Sequence, residues 1–242
     1  MRTLLTDLVI GESPRWHDGR LWFSNWGTQE VLAVDADGKS EVMARVPTTI
    51  PFSIDWLPDG RLLVVSGQEG LLLRQEPDGT LVTPDGAVRQ VADRIAFPNG
   101  MVVTPDNRTL IVAESFTGRL TAFDIAADGG LANRRVWFDF GGPGNGDGIC
   151  LDADGAVWAS TMDSTVARVR EGDGVLDRIR LDAACFACML GGADGRTLFM
   201  LVADWHLGED FSANMQRLTT GPRTGRILTA PAPAPAPHAG RP

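Results

Sequence analysis

Short runs of apolar residues, each entered through an acidic turn, recur along this chain. The copies are HDGRLWFSN (17–25), PDGRLLVVS (58–66), PDNRTLIVAES (105–115), ADGAVWAST (153–161) and ADGRTLFML (193–201). Their starts are roughly 40 to 48 residues apart, the spacing of a β-propeller blade. Asp-Gly turns between runs rich in Val, Leu, Ile and Trp are hairpin signals, because such turns need backbone that Asn, Asp and Gly tolerate.

Each copy has strand-like neighbours. SIDWLP (53–58), GMVVTP (100–105) and GICLDA (148–153) precede the turn, and EVLAVDA (30–36), GLLLRQEP (70–77), RLTAFDI (119–125) and VARVREG (166–172) follow the apolar run. The pattern predicts blades of three or four antiparallel strands. No amphipathic period is sustained beyond two or three helical turns. The expected fold class is all-β, a β-propeller with about five complete repeats, forming a single domain over 1–230.

One stretch breaks the rhythm. In EPDGTLVTPDGAVRQVADRI (76–95) the turns Asp78-Gly79 and Asp85-Gly86 lie seven residues apart. Only one very short strand fits between them, where a full repeat would normally stand. Near the end, GRILTA (225–230) reads as a last strand, and PAPAPAPHAGRP (231–242) as an extended Pro/Ala-rich tail. Last strands of propellers often pair with the first blade and so remove an open edge. TLLTDL (3–8) is the expected partner.

Composition narrows the function. The chain has 22 Lys+Arg against 31 Asp+Glu, a formal charge of -9, and so lacks the basic footprint of a nucleic-acid binder. It would also be repelled by anionic membrane surfaces. Asp7 interrupts the apolar N-terminal run, against the pattern of a signal peptide, and no window approaches a membrane span. The expectation is a cytoplasmic protein with neither nucleic acid nor membrane as partner. Three cysteines, with Cys185 and Cys188 in C-F-A-C and no second pair, read as ordinary buried thiols.

Candidate chemistry sits where strands begin. Glu12 in GESPRW, Asn99 in FPNGM and Asp147 in GDGICLD each adjoin a glycine and lead into an apolar strand. Taken singly, the two Gly-containing pairs read equally as tight turns and Glu12 as a solvated charge. Taken together, at matching places in the repeat, they are two carboxylates and an amide carbonyl. That all-oxygen set suits a hard cation such as Ca²⁺, Mg²⁺ or Mn²⁺. Competing hydrolytic designs lack their residues: there is no G-x-S-x-G elbow, no tyrosine, and three histidines, of which His17 lies in a repeat turn and His238 in the tail.

GESPRW, FPNGM and GDGICLDADGAVWAS resemble the marker segments of the senescence-marker-protein (regucalcin), gluconolactonase and luciferin-regenerating-enzyme family. The resemblance runs from residue 3 to about 230. It implies a six-bladed propeller with one divalent ion (Ca²⁺, Zn²⁺, Mg²⁺ or Mn²⁺) held by Glu12, Asn99 and Asp147, and hydrolysis of a small lactone with Asp147 as the base. An Asn-Asp segment that helps the family bind substrate is not found here, and its place falls at residues 76–95. Trp26, Asp163 and His206 are tentative substrate contacts, with Trp205 beside them. The alternative is a non-catalytic propeller that binds a ligand or protein and uses its metal structurally.

Overall fold

The computed structural model describes residues 1–47, 50–67, 69–83, 89–161 and 163–237. The Asp85-Gly86 turn and His238 lie outside them. After β1 (Arg2–Leu8), the first sheet is β2 (Ile10–His17), β3 (Arg20–Trp26), β4 (Glu30–Val34) and β5 (Ser40–Arg45). The second is β6 (Phe52–Trp56), β7 (Leu62–Ser66), β8 (Leu71–Gln75) and β9 (Leu81–Val82). The third is β10 (Pro98–Val103), β11 (Thr109–Glu114), β12 (Arg119–Ile125) and β13 (Leu131–Asp139). The fourth is β14 (Asn145–Leu151), β15 (Val157–Thr161), β16 (Thr165–Arg170) and β17 (Gly174–Arg180). β18 (Ala184–Gly191) and β19 (Thr197–Ala203) are followed by α1 (Phe211–Thr220) and β20 (Gly225–Pro231). The fifth sheet has the order β1-β20-β19-β18, so the last strand lies beside the N-terminal one as expected.

The fold is thus all-β, of the β-propeller class, with five four-stranded sheets. All five acidic turns join the first two strands of a repeat. The reason is local. At the β2–β3 turn Asp18 has φ 48° and Gly19 φ 70°, the pair of positive values a two-residue hairpin turn demands. The crowded junction yields β9, two residues long, and no further strand among the described residues before Pro98.

The chain forms two compact units: residues 2–88 with 201–228, and Met1 with 89–200 and 229–242. In the first, Val31, Phe52, Ile54, Leu62 and Val64 build the core, with Trp22, Trp26 and Trp56 packed against it. In the second, Ile111, Leu120, Ala122, Leu151, Val157 and Val169 do the same. Alternation supplies these faces: Phe52 and Ile54 are buried on β6 while Ser53 and Asp55 are not.

In the second unit residues 89–97 lie across the face of the third sheet that carries Glu114. The Ala96 N–H donates to Glu114 Oε2 at 2.7 Å, Arg134 Nη1 to the Asp93 carbonyl at 3.2 Å, and Arg89 Nη2 to the Asp128 carbonyl at 2.8 Å. The Pro/Ala segment is docked. The Ala232 and Ala236 N–H groups donate to Arg196 and Gly195 carbonyls at 2.8 and 2.9 Å, and Ala232 and Ala234 are buried. The three cysteines are free and buried. Cys185 and Cys188 lie three apart on β18 and so point to opposite faces. Cys188 Sγ instead meets Cys150 Sγ of β14 at 3.9 Å.

α1 has a sequence signal that the periodic reading passed over. Asp210 caps it, accepting from the Ala213 N–H at 2.7 Å, and Gly221 closes it.

Candidate metal centre

Glu12, Asn99 and Asp147 each lie on the first strand of a sheet, and each within an irregularity of that strand. The β2–β3 register shifts between Glu12 and Arg15, β10–β11 between Pro98 and Met101, and β14–β15 between Asn145 and Ile149. The β6–β7 pairing, whose first strand carries no candidate, runs without a shift. A bulge breaks the two-residue alternation and re-aims a side chain, so each of the three positions lies at an interruption of the regular pairing.

Gly146, before Asp147, takes φ 75°, but the other adjoining glycines are not turn residues. Gly11, Gly100 and Gly148 all have φ outside the positive region. Their lack of a side chain matters for close approach. A Cβ on Gly100 would stand 2.5 Å from Ile149 N and 2.6 Å from the Asp147 carbonyl oxygen, and one on Gly148 2.5 Å from Ala187 Cα. In the other unit a Cβ on Gly11 would meet Leu201 Cδ2 at 2.8 Å. The tight-turn reading of Asn99-Gly100 and Asp147-Gly148 is therefore replaced by one of first strands packed backbone to backbone.

Two serines that sequence reasoning missed hold these strands. Ser160 Oγ reaches the carbonyls of Gly148 and Phe186 at 2.9 and 3.0 Å, tying β14 to β18. Ser24 Oγ does the same with the carbonyls of Glu12 and Phe52, at 2.9 and 3.2 Å, tying β2 to β6. The signal was there: a Ser near the end of the apolar run recurs in FSN and AST.

The structure brings Asn99 and Asp147 together. The Asn99 side chain donates toward the Asp147 carboxyl, and Asp147 Oδ1 is buried with no hydrogen-bond partner among the described residues. Burial pushes the Asp147 carboxyl up to about 7, against the opposing effect of the Asn99 donation. Buried polar atoms are nearly always satisfied, so an orphaned carboxylate oxygen marks a place where something binds. Among the described residues the other such side-chain atom is Trp158 Nε1. A hard cation fits this donor chemistry: carboxylate oxygen and amide carbonyl are its usual ligands.

Glu12 belongs to the other unit. It is 6% exposed and its Oε2 accepts from the Ser13 N–H at 3.0 Å, with Ser13 at φ 50°. Ser13 Oγ in turn accepts from the Ile54 N–H at 3.1 Å, fixing the bulge. Among the described residues no group of three or more His, Cys, Asp or Glu side chains could hold a metal ion.

The tentative substrate contacts differ from one another. Trp26 is half-buried against the core, and its Nε1–H donates to the Phe52 carbonyl at 2.7 Å. Asp163 is exposed and accepts from the Thr161 hydroxyl at 2.6 Å. His206 is exposed, with Nδ1 2.9 Å from Glu209 Oε1, and Trp205 packs near Phe211 at 5.7 Å between ring centroids. No helix among the described residues is long and apolar enough to cross a membrane.

Comparison with known proteins follows this geometry. The chain is 30% identical to regucalcin of Danio rerio over 138 residues, 54% of this chain and 45% of that protein. The chain thus spans less than half the length of that relative. Among solved structures, a calcium-binding regucalcin from Agrobacterium tumefaciens matches with a TM-score of 0.71 at 18% identity, covering 96% of this chain and 94% of that one. A gluconolactonase from Xanthomonas campestris matches with a TM-score of 0.67 at 20% identity, covering 83% and 85%. Both show a shared fold. The family model of the SMP-30/Gluconolactonase/LRE-like region matches residues 78–204, just over half of the 242 residues, and the chain belongs to that family.

Proposed function

We propose that the protein is a divalent-cation-dependent hydrolase of a small lactone, with Glu12, Asn99 and Asp147 holding the cation. The observation that carries the reading is the orphaned, buried Oδ1 of Asp147 beside the Asn99 amide. Family membership and the names of the relatives supply the reaction class. A bound divalent cation would polarise an ester carbonyl and lower the pKa of water.

Asp147 is the general base. Its carboxylate takes the proton of the attacking water as oxygen adds to the lactone carbonyl, then returns it to the ring oxygen as the C–O bond breaks, leaving a hydroxy acid. Asn99 fixes the Asp147 carboxyl, and Gly100 and Gly148 let the strands that carry both approach. Asp163 and His206 keep exposed polar atoms and are assigned to substrate hydroxyls. Trp26, whose N–H is committed to Phe52, enters only as an apolar wall.

Thermal unfolding after chelation, followed by add-back of Ca²⁺, Mg²⁺, Mn²⁺ or Zn²⁺, tests the cation. At about 100 times the dissociation constant the gain is roughly 2.7 kcal/mol. That is a rise of roughly 5 to 10 °C for a domain of this size. Glu12→Ala, Asn99→Ala and Asp147→Ala should each lose it. Asp147→Asn should then abolish lactone turnover while leaving the fold. No shift with any cation overturns the site. A shift without turnover of any lactone overturns the reaction and leaves a structural ion.

A further inference from the structure

A second concave place lies wholly within the unit of residues 2–88 and 201–228. At the far end of β2 from Glu12, a groove of about 380 Å³ opens between the β2–β3 turn and the turns following β6 and β8. Five residue steps of strand run from Glu12 to His17, about 16 Å at the usual rise, so the groove is not part of the candidate metal centre. Its volume is at the lower end of the ~300–1,000 Å³ typical of small-molecule sites.

The groove has a rigid aromatic wall. The His17 ring stacks on Trp56 with centroids 4.2 Å apart and planes 17° from parallel. Trp22 stands nearly perpendicular to both, at 5.8 Å from His17 and 5.2 Å from Trp56. The Trp22 Nε1–H is tied to the His17 carbonyl at 3.2 Å. Two rings and a backbone bond therefore fix how Trp56 is presented.

Around that wall stand polar groups without protein partners. Neither the Trp56 indole N–H nor the Gln75 carboxamide makes a hydrogen bond among the described residues. Asp18 has a single contact, 3.5 Å from His17 Nε2, and its carboxylate is 70% exposed. Arg61 and Glu76, 3.3 Å apart, close the opposite side, and both have further partners: Arg61 meets Asp59 at 2.6 Å and Glu76 meets Arg74 at 2.5 Å. The groove thus offers both donors and acceptors beside an aromatic ring, and among the described residues its Asp18 carboxylate pairs with no arginine.

Those features discriminate among ligand classes. An anion would meet the carboxylates of Asp18 and Glu76. A cation held by aromatic faces needs an open cage of rings. Here Arg20 already lies over Trp22, 5.6 Å from its centroid, and His17 covers a face of Trp56. A neutral ring bearing several hydroxyls suits these groups: its hydroxyls pair with the Trp56 indole N–H, the carboxylates, the amide and the guanidinium. We propose that this groove binds a monosaccharide-sized neutral polyol through Trp56, Asp18, Gln75, Arg61 and Glu76.

Calorimetric titration of the full chain with D-glucose tests this, with tetramethylammonium and inorganic phosphate as cationic and anionic comparisons. Saturable glucose binding with a dissociation constant of about 1–10 mM is expected. Gln75→Ala and Asp18→Gly, the second keeping a residue that tolerates the positive φ of the turn, should weaken it at least tenfold. Both variants should melt as the parent does and keep its response to divalent cations. Trp56→Ala should remove binding altogether. Absence of saturable glucose binding up to about 100 mM, or binding unchanged in Gln75→Ala and Asp18→Gly, overturns the proposal. Preferential binding of tetramethylammonium or phosphate overturns the assigned ligand class.

Discussion

Gly100 lies against Asp147 so closely that a β-carbon on the glycine would sit 2.6 Å from the aspartate carbonyl oxygen. One missing methyl group therefore lets β10 and β14 approach, and with them Asn99 and the Asp147 carboxyl. Gly100→Ala should destabilise by about 1–3 kcal/mol, since the obstacle is backbone rather than a movable side chain. Thermal unfolding should show a fall of roughly 2 to 12 °C. The cation-induced stabilisation should fall with it. Gly155→Ala, at φ 74° but with nothing within 4 Å, should cost only the backbone strain and leave the cation response intact.

Ser160 is the polar counterpart of that contact. It is fully buried and bonds two carbonyls on neighbouring first strands. Ser160→Ala removes the one hydroxyl proton shared between the Gly148 and Phe186 carbonyls, at about 0.5–1.5 kcal/mol. Ser24→Ala should behave alike, because its hydroxyl makes the equivalent pair of bonds. Urea unfolding of both variants checks this. A loss in one and none in the other would contradict the equivalence.

Glu114 should make stability sensitive to acid. Burial alone would raise its carboxyl, but donation from the Ala96 N–H and the Thr121 hydroxyl, with Arg134 beside it, outweighs burial and holds it below the usual carboxylate range. A depressed folded pKa stabilises above the unfolded value. That contribution is lost as pH falls through the folded pKa. Glu114→Gln should cost about 1.5–3 kcal/mol at neutral pH, the worth of hydrogen bonds to a charged group. Below about pH 4 the difference from the parent should shrink. Denaturant midpoints measured across that range decide it. A gap that stays constant with pH would assign Glu114 a role in packing alone.

Arg168 is held at 2.7 Å to Asp152, whose side chain is completely buried. Arg168→Ala leaves that carboxylate without its counter-charge, at about 3–5 kcal/mol. Asp152 also accepts the N–H groups of Asp154 and Ala156 at 2.9 and 3.0 Å, so the loss should open the β14–β15 turn. Amide exchange localised to residues 152–156 would show this directly.

The three thiols should be inert in the native state. Burial pushes the Cys150 thiol well above its ordinary value, with Cys188 close by acting in the same direction. A thiol-disulfide reagent at neutral pH should modify none of the three until denaturant is added. Rapid native labelling would mean that the β14–β18 pair opens readily.

The sequence alone determined the repeat, the strands, the acidic hairpin turns and the pairing of the last strand with the first. These are legible because they are local: turn chemistry is decided within four residues, and alternation within one strand. It also singled out Glu12, Asn99 and Asp147, since equivalent places in a repeat can be aligned without knowing where they lie in space. What the glycines beside them do could not be read. Asn-Gly and Asp-Gly look like turns in any linear pattern, and only the packing of neighbouring first strands showed that Gly100 and Gly148 serve close approach. The bulges, the serine bridges and the orphaned oxygen of Asp147 were likewise invisible, because each depends on atoms brought together from distant parts of the chain. So did the aromatic groove: His17, Trp56 and Gln75 belong to three separate strands. Their meeting is decided by how the first two sheets pack, a matter of shape that no local periodicity encodes.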